Sequence, residues 1–252
     1  MKNKFEEEIY FTPKQAAGYL NLSLSTIKNY IYAGNINTLV TPGGHHRISK
    51  TNLLAAMDLT SNSRDLLVER ERMCAVLLNA FSVFGASGRL FLIHSMAVSE
   101  MSYKLSINMG LKEEDALLIK ISGLVHDIGH LGIDRRILLK PVALTVREYK
   151  HIKDHPGIGG EMLDSTKELK PIAVIVAQHH EKMDGSGYPK GFKADKIQKG
   201  ARIISITEAY DAMVSANSYK MPISKDAAIA ELMRYRGSQF DGDAVESFIK
   251  IL

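Results

Sequence analysis

Residues 113–132 read EEDALLIKISGLVHDIGHLG. The pattern predicts a helix over 113–125, with His126 and Asp127 at its end and Gly129 just beyond. Neighbouring residues there differ by about 100° around the helix axis, so an imidazole and a carboxylate can aim at one cluster. A carboxylate in that position can bridge two metal ions. His179 and His180 repeat the arrangement at the end of a helix predicted over 170–178, where each imidazole can serve a different ion. His94 and His155 arrive from other helices. Five histidines and an aspartate exceed the three or four protein ligands of a single catalytic zinc, so the count favours two metals. Of nine histidines in the chain, seven lie between residues 94 and 180, and the single cysteine, Cys74, rules out a multi-thiolate site. That balance points to nitrogen and oxygen ligation of a transition metal. His151, four residues before His155, is left outside the set.

Further helices are predicted over 95–109, 145–153, 200–213, 225–236 and 243–251, which makes the region from residue 89 to 252 all-α and the chain mainly α. At 252 residues, 45% hydrophobic and 24% charged, the chain is long enough for one large domain or two modest ones, and its usage is that of a globular protein. The longest uninterrupted apolar stretch is six residues, as at 172–177, against about 20 needed to span a bilayer. No membrane partner is expected. The acidic start, MKNKFEEE, is unlike a signal peptide, and a lone cysteine forms no internal disulfide, so a cytoplasmic location is expected. A net charge of +4 is too mild an excess to decide for or against a polyanionic partner.

Residues 1–58 carry their own punctuation. Thr12 and Pro13 open a short helix, Asn21 and Leu22 turn the chain, and Ser23 caps a second helix through Ile27, Tyr30 and Ile31 that Gly34 stops. A β-prone stretch over 39–41, the turn Pro42-Gly43-Gly44 and a return strand over 45–48 form a small wing, and Ser49 caps a third helix. Two helices joined by a tight turn are the helix-turn-helix unit. After it, the polar TSNSRD (60–65) reads as a boundary, followed by a connecting helix with Leu66, Leu67, Met73, Val76, Leu77, Ala80 and Phe81 on one face. Residues 59–88 are therefore taken as linker and connecting helix. The stripe can pair with its copy in a homodimer or pack on the C-terminal domain.

The stretch FTPKQAAGYLNLSLSTIKNYIYAGNI (11–36) with TPGGHHRIS (41–49) resembles the winged helix-turn-helix of the MerR and excisionase-like DNA-binding families. The resemblance implies a second helix in the major groove presenting Ser25, Thr26, Lys28 and Asn29, with His46 and Arg47 of the wing at the DNA backbone or minor groove.

From His94 onward the chain resembles the HD superfamily of metal-dependent phosphohydrolases, specifically its HD-GYP branch. The carriers are LVHDIGH (124–130), HHEKMDGSGYP (179–189), ILLKPVALTVREYKHIKDHPGIGGEML (137–163), GARIISITEAYDAMVS (200–215) and GSQFDGDAVESFI (237–249). The resemblance implies hydrolysis of cyclic di-GMP or a related cyclic dinucleotide by two divalent transition metal ions, iron or manganese. It implies a metal set of His94, His126, Asp127, His155, His179, His180 and Glu208, with Asp127, His130 and Lys140 as catalytic residues. Lys140 falls where the family holds a phosphate. Asp184, Gly187, Tyr188 and Pro189 shape the cleft wall, and Asp211, Tyr219 and Lys220 complete the substrate set. The chain departs from the family pattern at several positions. Glu208 stands for the usual Asp. His130 stands for a Lys, losing a permanent cation while offering a ligand or proton donor. Asn217-Ser218 replaces Arg-Pro, Asp134 and Arg135 replace Pro and Asp, and Leu90 occupies the position of the Glu carried by three-metal members. Two alternatives follow: an inactive domain that senses nucleotide or metal to control DNA binding, and a phosphohydrolase for another nucleotide.

Overall fold

A computed structural model describes residues 9–20, 23–34, 36–216 and 221–252, with side chains throughout except at 20, 54–64 and 86. The expected turn at Asn21-Leu22 and the positions Asn217, Ser218, Tyr219 and Lys220 lie outside these residues. The chain forms two compact units, Met1–Leu66 and Leu67–Leu252, and is mainly helical.

In the first unit, α1 (Pro13–Leu20) is opened by a reciprocal cap. The Thr12 amide donates to Gln15 Oε1 at 2.9 Å and the Gln15 amide donates to Thr12 Oγ1 at 3.2 Å. Helix α2 (Leu24–Tyr32) is capped by Ser23 and followed by Gly34 at φ 76°, the left-handed conformation that ends helices. Strands β2 (Leu39–Val40) and β3 (His46–Ser49) pair antiparallel as the expected wing. A further strand, β1 (Tyr10–Phe11), completes the sheet in the order β1-β3-β2; at two residues it is too short to show a period. Ala16, Ala17, Ile27, Ile36, Ile48 and Leu53 close the small core.

Helix α3 (Lys50–Asn79) includes the polar 60–65 stretch, and the division between the units falls directly after it, between Leu66 and Leu67. Its Thr, Ser, Asn and Asp residues each cost only a few tenths of a kcal/mol of helix propensity, and none is Gly or Pro. The apolar stripe of this region is committed to the second unit's own core. Cys74, Leu78 and Phe81 are buried there, Leu67, Met73 and Leu77 pack on it, and Val76 stays outside. The face offered above as a homodimer seam is therefore largely consumed by intrachain packing.

In the second unit α4 (Ala86–Asn108) lies along α5 (Glu113–Val125), α5 touches α9 (Lys170–Val176), and α8 (His155–Asp164) packs on α9. Helix α10 (Lys199–Val214) covers α4, and α11 (Lys225–Arg234) and α12 (Gly242–Ile249) close the far side. Short helices α6 (Arg135–Leu138) and α7 (Val146–Ile152) connect α5 to α8. Both α5 and α9 contribute to the two apolar clusters of this unit, so their C-terminal ends are fixed side by side. The sequence expects His155 to arrive on a helix without giving its bounds, and α8 is that helix although Pro156, Gly157, Gly159 and Gly160 lie within it. Pro156 is tolerated in the first turn, and the glycines serve packing. A Cβ on Gly160 would stand 2.8 Å from Ala177 Cβ, and one on Gly159 would stand 3.1 Å from Val176 Cγ1.

Burial, helped by the nearby Glu71 charge, pushes the Cys74 thiol from 9.0 up to about 12. At pH 8 that cuts the thiolate fraction about a thousand-fold. Ellman's reagent should accordingly label native protein about a thousand times more slowly than protein unfolded in guanidinium, measured by absorbance at 412 nm.

Candidate metal centre

Three histidines are set by the ends of three helices. The Nδ1–H of His126 donates to the Gly123 carbonyl at 2.8 Å, that of His155 to Ile152 at 2.8 Å, and that of His179 to Val176 at 2.6 Å. Each acceptor lies three residues back, in the last turn of α5, α7 or α9, where carbonyls lack intrahelical partners. These bonds fix the tautomer and leave every Nε2 as an outward lone pair, the form in which histidine binds metal.

Two of these Nε2 atoms face Asp127, and the third meets His155. His126 Nε2 is buried, has no hydrogen-bond partner among the described residues, and stands 3.4 Å from Asp127 Oδ2. His155 Nε2 stands 3.3 Å from Asp127 Oδ1 and 3.1 Å from His179 Nε2. With both Nδ1 protons already donated, two lone pairs face each other across that 3.1 Å. A shared cation relieves this, and the donor set is one that transition metals prefer, so the residues fit a metal. Three overlapping groups could each hold an ion: His94, His126 and Asp127; His155, His179 and His180; and Asp127, His130 and His155.

Acids from α10 face the cluster. Asp211 Oδ2 lies 2.6 Å from His94 Nδ1, and Glu208 Oε1 lies 3.5 Å from His180 Nε2. Burial pushes His126 down to about 4 and holds His179 and His180 well below the usual imidazole range, so these three are neutral near pH 7. Burial alone would raise Asp127, but His126 and His130 beside it hold the carboxyl well below its usual value. Burial, with the Asp127 charge, pushes Glu208 up to about 8. Burial would lower His94, but its bond to Asp211 and the surrounding carboxylates lift it to about 9. A divalent cation would answer both the idle lone pairs and the crowded carboxylates.

The HD turn meets α8 backbone to backbone. A Cβ on Gly129 would lie 1.9 Å from the His155 carbonyl oxygen and 2.7 Å from the Gly159 nitrogen. This contact holds Asp127 beside His155.

The loop after His180 folds back over it. A Cβ on Gly187 would meet Lys182 N at 2.4 Å and the His180 carbonyl oxygen at 2.6 Å. The Tyr188 amide donates to that carbonyl at 3.2 Å, and the Tyr188 ring lies 4.8 Å from the His180 ring. Pro189 follows through a cis peptide bond. Asp184 is exposed and accepts from the Ser186 amide at 2.8 Å, which places it in the turn. Sequence reasoning missed the loop's anchor, Glu181. This buried carboxylate accepts from the Lys190 amide at 2.8 Å and the Phe192 amide at 2.9 Å. An acid directly after the paired histidines, with a glycine-rich turn ahead, was the available signal. A cavity of about 130 Å³ opens beside His180 and Glu208, bounded by Lys182, Tyr188, Ser205 and Gln239; nothing in the sequence marked Ser205 or Gln239. Lys140 is held by both oxygens of Glu148, at 2.8 and 2.7 Å, so a phosphate must compete with that pair. His151 stays at the surface beside Asp154.

In the first unit Lys28 and Asn29 are exposed on α2. The Ser25 and Thr26 hydroxyls are tied to Ser23 Oγ at 2.7 and 2.8 Å. His46 Nδ1 pairs with Thr38 Oγ1 at 2.7 Å, and the half-buried Arg47 donates to the His46 carbonyl at 3.1 Å.

Residues 55–244 match the family described as HD domain, and residues 10–58 match a helix-turn-helix domain. The cyclic di-GMP phosphodiesterase response regulator RpfG of Xanthomonas campestris is 36% identical over 155 residues, 61% of this chain and 41% of that protein. A 3'3'-cGAMP-specific phosphodiesterase of Vibrio cholerae is 32% identical over 195 residues, 76% of this chain and 37% of that protein. The chain thus spans less than half the length of these curated relatives. The structure of an HDG"Y"P protein from Bdellovibrio bacteriovorus shares the fold, with a TM-score of 0.54 over 83% of each chain at 15% identity.

Gly129→Ala should force the HD turn away from α8, at a cost on the order of 3 kcal/mol. The expected outcome is a lower melting temperature together with lost uptake of divalent transition metal, read by calorimetry and elemental analysis. Wild-type values for both would remove the Gly129 contact as the device that sets the site.

Proposed function

Because this chain belongs to the HD-domain family, we propose that its second unit is a phosphodiesterase of the HD-GYP branch acting on cyclic di-GMP or a related cyclic dinucleotide. We further propose that the first unit binds DNA as a MerR- or excisionase-like winged helix-turn-helix, making the whole a cytoplasmic DNA-binding regulator. The observation that carries the catalytic reading is Asp127, whose two oxygens face two different sets of imidazole lone pairs, His126 on one side and His155 on the other. The names of the relatives support the substrate class.

Two divalent ions, iron or manganese, would be held by His94, His126 and Asp127 on one side and by Asp127, His155, His179, His180 and Glu208 on the other. Leu90, one turn before His94 on α4, brings no donor for a third ion in that position. Bound ions would supply an acidified water and charge neutralisation at the phosphoryl group. The chain's own contribution is positional. Backbone carbonyls of three helix ends hold the imidazoles in one tautomer, so no reorganisation accompanies binding. Glu181 holds the Tyr188 loop against His180, giving the substrate a wall. Asp211 orients the His94 ring through Nδ1. Lys140 can reach a phosphate by exchanging Glu148 for it. On the DNA side, Lys28 and Arg47 are not ion-paired among the described residues, and with the exposed Asn29 they supply the contacts.

His126→Ala and Asp127→Ala should each lose metal by elemental analysis and reduce cyclic di-GMP hydrolysis at least about a thousand-fold, followed as linear dinucleotide by chromatography. Metal-free variants with full activity would end the two-ion reading. Two ions in the wild type without turnover would instead favour a sensor, the outcome the Lys140–Glu148 pair supports.

Arg47→Ala should weaken DNA binding and make the slope of log affinity against log salt shallower by about one. Fluorescence anisotropy over a salt series gives both, and an unchanged slope would remove the wing from the interface.

A further inference from the structure

We infer that His130 is a ligand of the ion on the Oδ1 side of Asp127, so that the ion met there by Asp127 and His155 takes a further imidazole from this residue. The inference rests on the two-ion reading above.

Its basis is the spacing of donors. Donor atoms about 2.1 Å from one ion and 90–109° apart are about 3.0 to 3.4 Å from each other. The contacts around Asp127 Oδ1 form a connected run within that range. His130 Nε2 lies 3.3 Å from Oδ1, His155 Nε2 lies 3.3 Å from the same oxygen, and the donors of the three residues form one group able to hold an ion. By distance to Oδ1, His130 is indistinguishable from His155. Their rings are stacked, with centroids 4.1 Å apart and planes at 20°, which brings both Nε2 atoms to the same oxygen.

Burial adds a second argument. His130 is 8% exposed, and its Nδ1 is buried without a hydrogen-bond partner among the described residues. An unpaired buried polar atom costs about 1–3 kcal/mol. Either tautomer leaves Nδ1 alone, so hydrogen bonding at that atom does not select this ring position. What selects it is the array of donors at Nε2. The ring is delivered by the turn that delivers the bridging acid, since His130 sits in the 3₁₀ segment Ile128–Gly132 three residues after Asp127. Phe91 backs it at 5.4 Å between centroids. The sequence resemblance places a lysine at this position, whose permanent cation would repel an ion there. Exchange for histidine converts a like charge into a donor.

The test uses the full chain, stripped with a chelator and reloaded with Co2+. In His130→Ala and His130→Gln one of the two ions should bind at least about tenfold more weakly, with a changed Co2+ visible spectrum, while the other ion is unaffected. The glutamine variant, which keeps an oxygen donor, should recover part of the loss. Melting curves of the stripped proteins confirm that the variants fold. Hyperfine-shifted ring protons of Co2+-loaded wild type require no variant, and they should arise from six histidines rather than five. Five shifted rings, or wild-type affinity and spectrum in His130→Ala, would reduce His130 to a packing and hydrogen-bonding residue while leaving the two-ion centre intact. Wild-type protein that takes up no Co2+ would overturn both.

Discussion

At Gly129 the backbone of the HD turn lies so close to the start of α8 that a Cβ would stand 1.9 Å from the His155 carbonyl oxygen. This approach joins two halves of one donor array. Asp127 belongs to the end of α5 and His155 to the start of α8, and only a residue without a side chain lets the two backbones meet. Gly159 and Gly160 carry the same closeness onward, since α8 packs against α9 through them, and α9 ends at His179 and His180. The paired imidazoles therefore arrive opposite Asp127 because a line of small residues brings three segments within reach of one another.

Once the helix ends are gathered, their chemistry follows from an ordinary property of helices. The last carbonyls of α5, α7 and α9 have no partner in their own helix, and a histidine three residues on satisfies one in each case. The same hydrogen bond that ends the helix sets the tautomer of the ligand. Burial then keeps His126, His179 and His180 neutral, and Asp127 remains the charge to which the lone pairs are directed. A polar cluster this buried is unfavourable by itself. Neutral nitrogen donors around shared carboxylates become favourable with a cation among them, which ties stability of the centre to occupancy.

The cleft wall is held by a different device. Glu181 is a buried acid with no cationic partner among the described residues, and it spends its oxygens on two backbone amides nine and eleven residues ahead. Charge-assisted bonds of this kind are stronger than neutral ones. They close the loop that carries Tyr188, so the residues next to the metal donors also determine the shape of the adjacent cavity. His130 comes from the HD turn, lies beside Asp127 Oδ1, and departs from the family pattern.

Much of this was legible without coordinates. The short-range patterns marked the helix ends at His126 and His179, the caps at Thr12, Ser23 and Ser49, and the wing, because each depends on residues three or four positions apart. The sequence alone determined that nitrogen and carboxylate donors would gather, and that a helix-turn-helix would precede them. It left open what depends on neighbours far along the chain. Helix α8 was expected at His155 but left without bounds, and the value of its glycines lies in contacts with Gly129, Val176 and Ala177. The apolar face around Met73 carried no mark of whether it would meet this chain or another copy. Tertiary structure alone decided which nitrogen of each histidine faces the site, that Lys140 is matched by Glu148, that Glu181 ties the loop, and that His130 Nε2 lies beside Asp127. The reason is physical: capping and periodicity act over one or two turns, while burial, backbone approach and the sharing of one carboxylate oxygen exist only once distant segments have packed.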